Sequence, residues 1–187
     1  PPGFKPDVGA GIVEVDKRLL AQRIYYAFAG ERAVFILLRP PGGKPYYLME
    51  NKVWCGFFRA FDKEKPGQAD GQKWKTDNDK WPAFDLSVTA ANAFAEWLGG
   101  KLPTVNQWDY AAGIQDRMGN LGPNRRGQPA VAIEEPRGID AKDRDEGPFG
   151  IMDLSGNGRE FTRDVKTADG FATVPLKKPT DDDRIII

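Results

Sequence analysis

Two carboxylates stand close together late in this chain. In "IMDLSGNGREFT", residues 151–162, Asp153 and Glu160 flank Gly156, Asn157 and Gly158. Those glycines and the asparagine suit a tight turn, which would fold both acids toward one point. Two carboxylates in a half-buried place repel unless a cation or a proton comes between them. Two arrangements meet that demand. One is a hard cation such as Ca²⁺, which takes roughly six to eight oxygens and mixes carboxylates with backbone carbonyls. The other is a plain β-turn, with Asp153 capping backbone amides and Glu160 paired to an arginine such as Arg159 or Arg163.

Other residues invite chemistry less strongly. Cys55 is a candidate reactive thiol because Lys52 is near in sequence, but a free cysteine on an apolar helix is more often buried filling. "DAKDRDEG" (140–147) is a candidate second acidic ion site; a mixed run of Asp, Lys and Arg is usually a solvated loop. Trp74 and Trp81 lie among Lys73, Lys75 and Lys80, a composition that stacks on sugar rings or a peptide, or else pins a loop to the core. "NRRGQ" (124–128) with Arg137 is a candidate anion contact. The absences are sharper. With no histidine, Ser-His-Asp and Cys-His catalysis and imidazole-bound iron or zinc are excluded within this chain. With one cysteine, so are a thiolate cluster and an intramolecular disulfide. No G-x-x-x-x-G-K-[ST] loop occurs, and "GAGIVE" (9–14) is too short a glycine match for a dinucleotide.

The elements that must position these residues are legible in part. The 187 residues, 40% of them hydrophobic, suit one domain. Formal charge is zero, which argues against general attraction to nucleic acid or anionic lipid. No run of about 18 apolar residues occurs, so no helix here is long and apolar enough to cross a membrane. No signal peptide is visible, and "PPGFKP" at the start reads as a linker, which predicts an excised domain. Residues 11–38 carry two or three strands, "PPGG" (40–43) a turn, and "PYYLME" (45–50) another strand. Val53, Phe57, Phe58 and Phe61 predict an amphipathic helix over 51–64, and residues 62–82 a long polar loop. A helix follows Ser87 and stops at Gly99-Gly100; Thr104 and Gln107 make a capping box for the next. Residues 114–148 read as irregular, with one strand at "AVAIEE"; "GREFTRDV" (158–165) and "GFATVPL" (170–176) read as strands. "RIII" at the end reads as an apolar strand that pairs with a neighbour.

Pro82, Ser87, "AEWLGGKLPT" (95–104), "QWDYAAG" (107–113) and "PFGIMDLSGNGREFTRDV" (148–165) together resemble the formylglycine-generating enzyme, or sulfatase-modifying-factor, domain family. The resemblance runs over roughly residues 45–165. It implies an α+β, C-type-lectin-like fold with two main helices packed on short antiparallel sheets and much irregular loop. It divides the chain into a β-rich extension, 1–44, and a core, 45–187, lacking its closing strands. The extension looks like the version found beside bacterial Ser/Thr kinase modules, which implies an extracytoplasmic or secreted location. The resemblance also implies a structural calcium at the turn, with Asp153 and Glu160 as side-chain ligands and Gly156 and Gly158 as carbonyl ligands.

The departures bear on function. Active relatives hold copper with a late cysteine pair, and sulfoxide-forming ones hold iron with histidine; this chain has no cysteine after Cys55 and no histidine. Neither copper nor iron is expected in it. Phe161 stands where the family has a Trp, and Arg159 replaces another, so the aromatic wall is altered. The expectation is a non-catalytic recognition or sensory module with a structural calcium. It would take a peptide or carbohydrate, with Trp74, Trp81 and Arg159 as candidate ligand contacts, and no nucleic acid. The alternatives are an oxidative enzyme whose cysteines lie past Ile187 or on a partner chain, and a structural domain of a secreted assembly.

Overall fold

A computed structural model describes residues 3–70, 75–114, 137–167, 173–181 and 183. Trp74, the arginines of 124–128, the strand expected at 130–135 and the terminal "RIII" lie outside the described residues.

The N-terminal half is β-rich, as expected. Strands β1 (Phe4–Pro6), β4 (Arg23–Phe28), β5 (Glu31–Leu38) and β6 (Tyr46–Met49) form one antiparallel sheet in the order β1-β4-β5-β6. β2 (Ile12–Val15) and β3 (Arg18–Ala21) form a separate hairpin. Its turn residues, Asp16 and Lys17, have φ of 50° and 63°. Two positive φ angles in a two-residue loop match the right-handed twist of the flanking strands. β5 and β6 pair across position 44, so the extension and the core share one sheet.

Helix α1 (Cys55–Glu64) begins later than the periodicity suggests. Trp54 is held extended by a bridge to Pro82, and the first amides of the helix find acceptors outside it: Cys55 N–H donates to Trp81 O and Gly56 N–H to Asp79 O. α2 (Val88–Trp97) starts where Ser87 Oγ accepts from Ala90 N–H at 3.0 Å, and stops at Gly99, whose φ of 74° suits glycine. α3 (Val105–Ala112) carries the expected capping box of Thr104 and Gln107. Buried Asp164 adds a carboxylate at the same end, accepting from Val105 N–H at 3.0 Å. Asp164 opens β7 (Asp164–Lys166), which pairs with β8 (Thr173–Pro175).

The strand expected over 158–165 is shorter than its alternation suggests, since only Asp164–Lys166 pairs. Gly158 interrupts it. Its φ is 96°, and a Cβ there would sit 2.4 Å from the Phe84 ring. Its carbonyl is turned to Lys52 rather than to a neighbouring strand.

Strand alternation places a core on each face of the sheet. Ala33 and Phe35 of β5 face α1 and α2, where Trp54, Phe57, Phe58, Phe61 and Phe94 pack. Ile36 and Leu38 face α3 and Ile151. Phe57 is the hub of the first cluster: it stacks on Phe28 at 4.2 Å and meets Phe94 edge-on at 5.1 Å. Phe57→Ala should destabilise the domain by about 3–5 kcal/mol. The expected fall in Tm is on the order of 10 °C by scanning calorimetry. A loss of only about 1 kcal/mol would show that the cluster does not carry the fold.

Candidate functional site

Residues 145–153 fold back on themselves and bury Asp153. Gly147 N–H donates to Ile151 O, and Asp153 N–H to Asp145 O, both at 2.7 Å. Asp153 takes φ of 63°, a left-handed conformation that Asp tolerates better than most residues. Its side chain is fully buried. Arg144 meets it with Nε at 2.8 Å and Nη2 at 2.6 Å, both on Oδ2. Arg144 Nη1 donates to Asn51 Oδ1 and to Ile139 O. Asn157 donates to Asp153 Oδ2 at 3.1 Å and grips the backbone of Arg137 in both directions, accepting from its N–H and donating to its carbonyl. Ser155 N–H is satisfied by Asp145 Oδ2.

Glu160 is also occupied. Lys52 forms an ion pair with it and donates to Gly158 O at 3.0 Å. Burial pulls the Lys52 ammonium down to about 7; Arg144 pushes the same way, while Asp153 and Asp145 oppose. The touching carboxylate of Glu160 likewise favours the charged form.

As arranged here, the two acids expected to bind a divalent cation each lie against a cation of the chain. The calcium expected at Asp153, Gly156, Gly158 and Glu160 would need both carboxylates and the Gly158 carbonyl. Oδ2 of Asp153 is taken by Arg144 and Asn157, and Lys52 holds Glu160 and Gly158 O, leaving Asp153 Oδ1 without a partner among the described residues. Among those residues no group of three or more His, Cys, Asp or Glu could hold a metal ion. The acids do converge, but they meet cations of the chain. Neither Arg159 nor Arg163 is the partner of Glu160. The run "DAKDRDEG" supplies Arg144 and Asp145 to this buried cluster instead of forming an acidic ion site.

Beside the cluster lies an apolar cleft of about 600 Å³. One wall is α2, through Ala91, Ala95 and Leu98; the other is Ile151, Leu154 and Phe161. Tyr47, Leu48 and Met49 of β6 form its back, and Lys52, Arg159 and Glu160 line it too. A smaller cavity of about 400 Å³ shares Trp108, Leu154, Arg159 and Glu160 with it. Asp109 lines that second cavity, and burial lifts its carboxyl above the usual range. Sequence reasoning found Arg159 but not Trp108, whose place in a helix gave no sign of a cavity. Trp81 is 39% exposed and lines neither cavity, so the structure does not bring it to Arg159. Cys55 is fully buried against Pro82 O, and burial pushes its thiol up, which suits filling rather than reactivity.

Arg144→Met would leave Asp153 charged, buried and unpaired, at about 3–5 kcal/mol. Adding Asp153→Asn should recover part of that loss, because the orphaned charge goes while the left-handed residue is retained. Melting curves in Ca²⁺ and in EDTA should superimpose; a Tm raised by Ca²⁺ and lost in EDTA would restore the metal. Lys52 predicts a pH dependence. Between about 7 and 10.5 the unfolded chain holds a proton that the folded chain has released. The stability contribution of this group therefore rises with pH through that window and is lost as pH falls through about 7. The difference in unfolding free energy between the parent and Lys52→Met should grow from pH 7 to pH 10.5. A flat difference would show that Glu160 keeps the amine protonated.

Comparison with known proteins agrees with this architecture. Residues 42–178 match the sulfatase-modifying factor enzyme 1-like domain family. A curated relative, "Inactive C-alpha-formylglycine-generating enzyme 2" of Bos taurus, is 29% identical over 126 residues, covering 58% of this chain and 40% of the relative. The chain thus spans well under half the length of that protein. No solved structure matches. The family match takes in every element from β6 to β8 and both walls of the cleft, and this chain belongs to the sulfatase-modifying factor enzyme 1-like domain family.

Proposed function

We propose that this domain is a non-catalytic recognition module and that the cleft between β6, α2 and residues 151–161 is its ligand site. The cleft carries the proposal. Its volume of about 600 Å³ falls within the usual range for ligand sites, roughly 300–1,000 Å³, and its lining is chiefly apolar with a few charged groups. The chemistry of the lining supports binding over turnover. The sole thiol in the sequence is Cys55, which is buried away from solvent and absent from the lining. The chain has no histidine to bind iron or carry protons. Lys52 and Glu160 are held against each other in an ion pair. The word "inactive" in the name of the Bos taurus relative is in keeping with this reading.

The test has two arms. The apolar dye 1-anilinonaphthalene-8-sulfonate should bind the folded protein saturably, and Ala95→Trp, which fills the α2 wall, should weaken it at least about tenfold while the melt stays cooperative. A cysteine-containing peptide incubated with the protein, oxygen and Cu(I) should keep its thiol by mass spectrometry. Conversion of that cysteine to an aldehyde would overturn the proposal, and so would dye binding that Ala95→Trp leaves unchanged.

A further inference from the structure

The cleft has a shape that says more about its occupant. Tyr47, Leu48 and Met49 are consecutive residues of β6, and all three line it. Consecutive side chains of a strand point to opposite faces of the sheet. Tyr47 and Met49 share a face with Phe4, Ile24 and Phe35, which also line the space, while Leu48 points to the other face, so the space runs over one face and round the edge of the sheet at β6. Both core layers open onto it: Phe35, Phe58 and Phe94 from one, Ile151 and Leu154 from the other.

Glu50 O at the end of β6 accepts from Met152 N–H, but before it part of the edge backbone is unpaired among the described residues. Glu50 N–H donates to Val34 O, which sets the phase of the β5–β6 ladder. In an antiparallel pair the bonding residues alternate, so Leu48 and Tyr46 turn their amides to β5 while Tyr47 and Met49 turn theirs away. Among the described residues no backbone group pairs with Tyr47 or Met49 on the outer side. An apolar slot flanked by two core layers, with unpaired donors and acceptors along its back, has the features of a missing strand position.

We infer that the cleft takes an extended apolar segment of a partner polypeptide, which adds to β6 as the next strand of the sheet. This rests on the cleft being the ligand site. The two apolar walls select a continuous run of residues such as Val and Ile, because a strand covered on both faces has no polar side. Charge selects the flank. Lys52 and Glu160 are paired, whereas exposed Arg159 and Lys101 have no ion-pair partner among the described residues, and Asp85 is the other acid in the lining. The excess positive charge suits an acidic residue beside the apolar run.

The probe is a fluorescein-labelled nonapeptide with a five-residue Val/Ile run and an acidic flank. Saturable binding is expected by anisotropy, with competition by 1-anilinonaphthalene-8-sulfonate. A peptide N-methylated through the run keeps the apolar surface but loses the amides, and should bind at least about tenfold more weakly. Met49→Pro should weaken the parent peptide similarly, since proline removes an outward amide that the β5 ladder does not use. Equal affinity for the methylated and parent peptides would overturn strand addition. Dye binding without any peptide binding would also overturn it while leaving the cleft as the ligand site. A protein dimer that the peptide dissociates would assign the cleft to a second copy, and binding that requires deletion of residues 184–187 would assign it to the chain's own end. Either result would overturn the partner.

Discussion

The contact between Arg144 and Asp153 is the constraint on which the functional half of this molecule depends. The Arg144 side chain is 6% exposed and that of Asp153 fully buried, so neither can fall back on water. A planar fork with fixed donor directions must then be satisfied in full. Arg144 achieves this by joining three stretches of chain: Asn51 just after β6, Ile139, and Asp153 in the turn. The guanidinium thereby ties the end of β6 to the turn at Asp153, alongside the hydrogen bond from Met152 N–H to Glu50 O. An apolar pair of similar volume would be as stable or more so, but it would not fix the spacing through directed bonds.

Lys52 and Glu160 extend the same principle toward solvent. Each acid lies against a cation, and across the four side chains Lys52, Arg144, Asp153 and Glu160 the formal charges cancel while Lys52 is protonated. In a poorly hydrated site such cancellation is required, because one unmatched charge would oppose folding by several kcal/mol. It also answers the repulsion between two carboxylates brought to one turn, since each is met by a cation of the chain. The glycine-rich turn lets the chain approach closely, as Gly158 does under the Phe84 ring, and the positive charge comes from the chain itself.

What the sequence revealed and what it hid follow from the range of the forces involved. The Ser87 cap, the Thr104–Gln107 capping box and the apolar spacing of Phe57, Phe58 and Phe61 act within a few residues, so they are written in adjacent letters. The convergence of Asp153 and Glu160 was legible for the same reason. Their partners were not. Lys52 stands 106 positions from Gly158, and Asn51 lies 93 from Arg144. Nothing in "DAKDRDEG" distinguishes Arg144, which is buried, from Asp140, which is exposed. Alternation misled over 158–163 because Gly158 takes a left-handed conformation, and strand propensity carries no information about a ring packed where its side chain would be. The cleft was invisible because it is bounded by segments that meet only in three dimensions.

An open apolar edge between two core layers is a hazard, since free strand edges template aggregation. The surroundings of this one limit the danger without closing it. The slot is recessed between α2 and residues 151–161, so a flat edge from another molecule cannot approach it broadside. Charged groups in its lining, Lys52 and Glu160 in a pair and Arg159 with no ion-pair partner among the described residues, oppose unselective apolar contact. A segment that enters must be narrow, extended and apolar at its centre, with its charge at the end. Those are conditions of recognition, and the charged part of them comes from groups that also line the slot.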